Sequence, residues 1–219
     1  MKQKFYINGM KRGVAILVTV LFLSSCQKEI TVDDGSGGGG GGTGGTNQKP
    51  KLGTVWTYRY YVYNPPAAGG GIHTTETIKF KAKSEDVLGG EKWLNIVNVA
   101  TDTTVFFLNA KTGGLYQFAN NSSNLFCKDP AAVGDTYTSF NDKSMEDFTV
   151  RGVKDTLSTG IGDIPTNFYE GVKTAKLIDQ IWYNENAWIV RRTFYLHVTT
   201  VSPITYYKYS TLFLDLIEY

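Results

Sequence analysis

From Leu52 onward, apolar and polar residues alternate with a period of two, the spacing that sends successive side chains to opposite faces of a β-strand. In the stretch 72–83, Ile72, Thr74, Glu76, Ile78, Phe80 and Ala82 share one face. His73, Thr75, Thr77, Lys79, Lys81 and Lys83 share the other, so this strand is predicted to be wet on one side. The stretch 188–199 repeats the pattern, with Trp188, Val190, Arg192, Phe194, Leu196 and Val198 opposite Ile189, Arg191, Thr193, Tyr195, His197 and Thr199. Turn signals fall between such runs at Gly89-Gly90, Gly113-Gly114, Asp129-Pro130 and Gly134-Asp135.

These signals predict about ten strands, near 54–63, 72–84, 91–99, 103–108, 115–119, 136–140, 146–155, 167–178, 187–199 and 204–218. The segment NFYEGVKTAKLID also admits a helix, because Phe168, Val172 and Ala175 would align. Regular hairpin spacing makes the expected fold all-β: one large curved antiparallel meander sheet or a partly closed barrel, with few or no helices. The last strand differs from the rest. Leu212, Leu214 and Leu216 lie on one face and Phe213 and Ile217 on the other, a pattern of burial on both sides.

The first fifty residues break the pattern. Lys2, Lys4, Lys11 and Arg12 precede an apolar run from Val14 to Leu23, and Ser24-Ser25-Cys26 follows it. That run is about half the ~20 residues a membrane-spanning helix needs, and its flanks are those of a signal peptide. Leu23-Ser24-Ser25-Cys26 resembles a bacterial lipobox, in which the cysteine thiol takes a diacylglyceryl group and a dedicated peptidase cuts before it. Residues 1–25 are then a signal peptide, and Cys26 is the lipidated first residue of the mature chain. Two or three acyl chains anchor stably where one does not. An ordinary secretory cleavage would instead leave Cys26 free or paired with Cys127, the one other cysteine.

Residues 26–50 contain the run GSGGGGGGTGGT, which reads as a flexible tether. Its reach is roughly 25–30 Å by the ~5–6 Å × √n rule. Residues 51–219 form the antiparallel β domain, large enough to bury about 70 per cent of its unfolded surface without a metal or disulfide.

Removing the four cations of the signal segment from the chain's 22 leaves 18 basic against 20 acidic residues. That balance offers no concentrated basic face for nucleic acid. No His-x-His, Cys-x-x-Cys, Gly-x-Ser-x-Gly or calcium-loop pattern occurs, so no metal, cofactor or catalytic residue is assigned and the chain is read as not an enzyme. His73 and His197 lie on polar faces. Acidic residues gather between Asp129 and Asp163, where facing carboxylates would be needed for glycoside hydrolysis. Trp56, Tyr58 and Tyr60 share a face, and such a row serves either as a core ladder or as a stacking platform for sugars.

The segments LGTVWTY (52–58), LGGEKW (88–93), NAKTGGLY (109–116), DPAAVGDTY (129–137) and IPTNFYEGVK (164–173) occur in that order. Together they resemble a family of envelope lipoproteins of Bacteroidetes-type bacteria, over most of the mature chain. The resemblance implies a curved antiparallel sheet, similar at most to the half-barrels of lipoprotein carriers, and brings no reaction with it. Gln27-Lys28-Glu29 and Asp33-Asp34 resemble the export signal of surface lipoproteins in such bacteria. The expected location is the outer membrane, facing the surface or the periplasm. In such envelopes O-glycans are attached at Asp-Ser/Thr followed by a small aliphatic residue or Thr, which makes Thr103 and Thr156 candidate glycosylation sites.

Two readings of function remain open. One is a non-enzymatic binding or structural module, monomeric, touching a glycan or an envelope protein. The other is a carrier holding an acyl chain or apolar ligand in the hollow of the sheet. They separate on whether that hollow is open or plugged.

Overall fold

The computed structural model describes residues 48–64, 71–141, 144–174, 177–201 and 204–219. The expected signal segment, Cys26 and the glycine run lie outside the described residues, as do Asp142 and the side chains of His73 and His197. Twelve strands follow one another: β1 (Val55–Asn64), β2 (Gly71–Leu88), β3 (Glu91–Asn98), β4 (Thr103–Lys111), β5 (Gly113–Ala119) and β6 (Ser122–Asp129), then β7 (Thr136–Asn141), β8 (Ser144–Thr159), β9 (Gly162–Thr174), β10 (Leu177–Asn184), β11 (Trp188–Val201) and β12 (Ile204–Glu218). Among the described residues no helix forms.

The sheet order is β6-β5-β4-β3-β2-β1-β12-β11-β10-β9-β8-β7, antiparallel throughout. Every strand pairs with its sequence neighbour except across one junction, and β1 pairs with β12. The result is an all-β meander nearly closed into a barrel, whose two edges, β6 and β7, are consecutive in the chain. Antiparallel alternation puts the β1–β2, β3–β4 and later odd-to-even hairpins at one end. The chain enters β1 and leaves β12 at the other.

Two departures from the expected strands have local causes. β6 escapes the sequence pattern because Ser122-Ser123-Asn124 is polar throughout, and because its hairpin turns on Asn120 and Asn121 at φ 52° and 57°, with no glycine. Asn tolerates that left-handed conformation better than most residues. The expected single strand 167–178 divides into the end of β9 and the start of β10, and Phe168 and Trp182 face each other across that ladder. The helical alternative for this stretch is therefore replaced by a hairpin.

Packing fills the inside. Phe80 and Ala82 of β2 are buried while Lys79, Lys81 and Lys83 are exposed, following the period-two assignment. Phe126, Phe148, Tyr169 and Leu214 are among the fully buried side chains of the core. An interior lined by twelve strands is wider than the eight-stranded case that ordinary side chains fill, so large aromatics and an inward turn make up the volume. Trp188, at φ 61°, stacks on Trp56 with centroids 5.7 Å apart. The β8–β9 hairpin is bent by two register shifts and reaches β12, where the Gly160 amide donates to the Leu214 carbonyl at 3.4 Å. Leu157, Ile161 and Ile164 of this hairpin pack on the core. A side chain at Gly160 would collide with the Asp215 carbonyl, so the tip can lie this close only as glycine.

The edges are joined by side chains. The Tyr137 hydroxyl donates to the Phe126 carbonyl at 2.8 Å, and the Tyr169 hydroxyl to the Lys128 carbonyl at 2.5 Å. Lys128 and Asp135 form an ion pair at 2.8 Å across the connecting loop. These contacts occupy carbonyls of β6 that a neighbouring strand would otherwise use, which blunts the edge.

Candidate functional site

Trp56 and Tyr58 point inward and are buried, at 3% and 4% exposure. The Trp56 indole N–H donates to the Ala187 carbonyl at 2.9 Å and the Tyr58 hydroxyl to the Ile189 carbonyl at 2.7 Å. Tyr60 is half-buried, with its hydroxyl 2.8 Å from Ser210 Oγ. The row is a core ladder whose polar tips are already engaged, so Trp56 and Tyr58 offer no exposed platform for a sugar.

The hollow itself is plugged at its centre. Between Trp56, Tyr58, Phe80, Leu108, Trp188 and Leu212 remains a void of about 20 Å³. Beside it lies a buried ion pair, in which Arg192 Nη2 donates to Asp179 Oδ2 at 2.7 Å and Nε to Oδ1 at 3.2 Å. The guanidinium also lies within 6 Å of the Phe106, Phe126 and Phe194 ring centroids, at 5.8, 5.5 and 5.2 Å. Toward the β1–β2 end the interior opens into a cup of about 500 Å³ lined by Tyr60, Ile78, Phe106, Phe194 and Leu212, with Arg192 at its floor.

The outer wall carries a different arrangement. Register places Phe168 (β9) opposite Trp182 (β10), Trp182 opposite Arg191 (β11), Arg191 opposite Phe213 (β12), and Phe213 opposite Arg59 (β1). Five adjacent strands thus present one continuous row. Phe168 and Trp182 stack at 4.5 Å and 12°, Arg191 lies 4.6 Å from the Trp182 centroid, and Arg59 lies 5.1 Å from that of Phe213. Arg59 is held by Asp215 at 2.6 Å. Arg191 has no carboxylate partner among the described residues, and its Nε is buried without a hydrogen bond. Burial holds this guanidinium below its ordinary value, and an arginine stays charged at neutral pH regardless. Beside the row runs a groove of about 340 Å³ lined by Arg59, Arg191, Tyr61, Tyr63, Thr211 and Phe213.

This row was only half legible in the sequence. Arg191 falls on the polar face of its strand and Phe213 on the second apolar face of the last one, but nothing in the spacing says that they are neighbours. The last strand also changes face midway. Thr57 pairs with Leu216 but Tyr58 with Leu214, so Asp215 is an extra residue. Leu216 therefore turns outward, 44% exposed, and Ile217 packs against the core, breaking the expected Leu212-Leu214-Leu216 face.

Thr103 and Thr156 are both exposed, at the start of β4 and on β8. Cys127 is fully buried, and burial pushes its thiol well up from the ordinary value. His73 and His197 sit on β2 and β11, with β1 and β12 between them in the sheet. Several of the acids between Asp129 and Asp163 engage separate partners. Asp135 accepts from Lys128, Asp147 from Thr138 at 2.7 Å, and Asp163 from Ser158 at 2.6 Å. Among the described residues no three His, Cys, Asp or Glu side chains gather where they could hold a metal ion. Comparison with protein-family models, with curated proteins and with solved structures finds no match to this chain.

Proposed function

We propose that the chain is a lipid-anchored envelope lipoprotein whose barrel acts as a non-enzymatic binding module, meeting its ligand with the outer wall. Cys26 carries the lipid, residues 26–50 hold the barrel away from the outer membrane, and the protein works as a monomer in surface or periplasmic space. The observation that carries the binding reading is the plugged centre of the interior. A void of about 20 Å³ is close to the room one water molecule needs. An acyl chain would have to displace Trp56 and Trp188 from their stack to reach the centre of the barrel.

The cup of about 500 Å³ favours a second reading, a shallow carrier that takes one end of an apolar ligand above Arg192. Titration of the full-length chain in detergent with a fluorescent fatty-acid analogue separates the two. The outer-wall reading expects no saturable uptake. Saturable uptake abolished by Phe194→Asp would replace it with the carrier reading.

A further inference from the structure

The row on the outer wall has one feature that internal packing does not account for. A guanidinium half-withdrawn from water is stabilised by an aromatic face. Its hydrogen-bonding groups nevertheless call for an acceptor, because a desolvated charge left unpaired is costly. Arg59, the other cation of the row, has its acceptor in Asp215. Arg191 sits between Trp182 and Phe213, on the same face and one strand removed from Arg59, and has none among the described residues.

We propose that the groove beside Arg191 is a binding site for an acidic sugar residue, one bearing a ring carboxylate. The inference rests on the outer-wall reading of function and names its ligand class. The Arg191 guanidinium lies 4.6 Å from the Trp182 centroid and lines the groove, and although its Nε is buried, its two terminal nitrogens carry the N–H donors that can grip a carboxylate with two parallel hydrogen bonds. Around it stand the functions a sugar ring requires. Tyr61 and Tyr63 follow one another on the outer face of β1, offering aromatic surface for the apolar face of the ring and hydroxyls for its own. Tyr63 is 55% exposed and thus available. Thr211 Oγ1, already 2.9 Å from Thr193 Oγ1, has remaining capacity to bond a ligand hydroxyl. The groove's volume of about 340 Å³ lies at the lower end of the range for small-molecule sites. It fits one or two sugar residues rather than a folded partner. The wall on the other side of β1 carries Lys79 and Lys81 exposed, two cations that draw a polyanionic chain toward the groove, while Lys83 beside them is paired with Asp102.

Calorimetry on the full-length chain in detergent tests the site, with a uronic-acid trisaccharide as ligand, the matching neutral trisaccharide and inorganic phosphate as comparisons, and Arg191→Gln, Arg191→Lys and Tyr63→Ala as variants. The acidic trisaccharide should bind at least about tenfold more tightly than the neutral one, as loss of a charge-assisted pair implies. Arg191→Gln should lose that advantage, Arg191→Lys should recover only part of it, and Tyr63→Ala should weaken acidic and neutral sugars alike. Equal binding of the two trisaccharides, unchanged affinity in Arg191→Gln, or no binding of the acidic sugar by the folded chain would overturn the proposal. Tighter binding of phosphate than of the sugar would reduce the site to an anion site. Failure here, with the fatty-acid probe still excluded, would leave the binding-module reading standing without this ligand. Uptake of that probe alongside acidic-sugar binding would retain the groove and change the function of the interior.

Discussion

The Tyr137 hydroxyl of β7 donates a 2.8 Å hydrogen bond to the Phe126 carbonyl of β6, bridging the one pair of consecutive strands that shares no ladder. The Tyr137 ring also stacks on Phe148 at 5.4 Å and 11°. Tyr137→Phe keeps the stack and removes the bridge, leaving a carbonyl without its donor. The expected loss is about 1–2 kcal/mol, read as a lower urea midpoint at unchanged slope. Tyr169→Phe, which removes the bond to the Lys128 carbonyl, should do the same. Midpoints equal to wild type would mean the seam does not depend on these bridges.

The same seam should show a pH dependence. The hydrogen bond from Lys128, with a second from the Ala132 amide, holds the Asp135 carboxyl below its ordinary 3.8. A carboxyl lowered in the folded state contributes stability that is complete above the ordinary value and is lost as pH falls through the folded one. Wild type should therefore lose stability more steeply than Asp135→Asn below about pH 4. Parallel acid limbs for the two proteins in urea titrations at stepped pH would refute this.

The Arg192–Asp179 pair sits in the core, with side chains 8% and 7% exposed. Asp179→Asn deprives the buried guanidinium of this carboxylate and should cost about 3–5 kcal/mol. The double variant Asp179→Leu/Arg192→Met removes both charges and should recover much of that loss, since apolar replacement of a buried pair is often neutral. Chemical unfolding of the three proteins checks both expectations, and a double variant no better than Asp179→Asn would contradict the second.

The anchor is tested at Cys26. The mature protein should begin at that residue and partition into detergent, while Cys26→Ala should be unprocessed or released from the membrane. A Cys26→Ala protein of normal mature mass that stays membrane-bound would show that the lipobox reading is wrong.

Thr103 and Thr156 stand at exposed positions where a bulky modification meets no core packing. Protein purified from its native envelope should carry sugar mass beyond lipid and polypeptide, lost stepwise in Thr103→Ala and Thr156→Ala. Peptides spanning both residues without added mass would remove the glycosylation reading; Asp-Thr would then be ordinary turn chemistry.

Period-two alternation was enough to set the class of the fold and, over each stretch free of a bulge, which residues share a face. Phe80 and Ala82 separate from Lys79 and Lys81 on sequence alone because a strand's side chains alternate whatever lies beside it. The Leu23-Ser24-Ser25-Cys26 run and the glycine run are likewise local patterns, read from adjacent residues alone. What alternation leaves open is which face becomes the inside and what stands opposite it. Those depend on register between strands far apart in sequence, and a single extra residue inverts the assignment beyond it. Asp215 is such a residue: it sends Leu216 outward and Ile217 toward the core. The pairing of β1 with β12 likewise turned Trp56 and Tyr58 into the barrel's own filling. It also set Arg59 beside Phe213, 154 positions later in the chain by their numbering, and Phe213 beside Arg191. Successive hairpins line up Phe168, Trp182, Arg191 and Phe213, in a register set by bulges that alternation does not reveal, and only the long-range pairing of β1 with β12 adds Arg59 to the row.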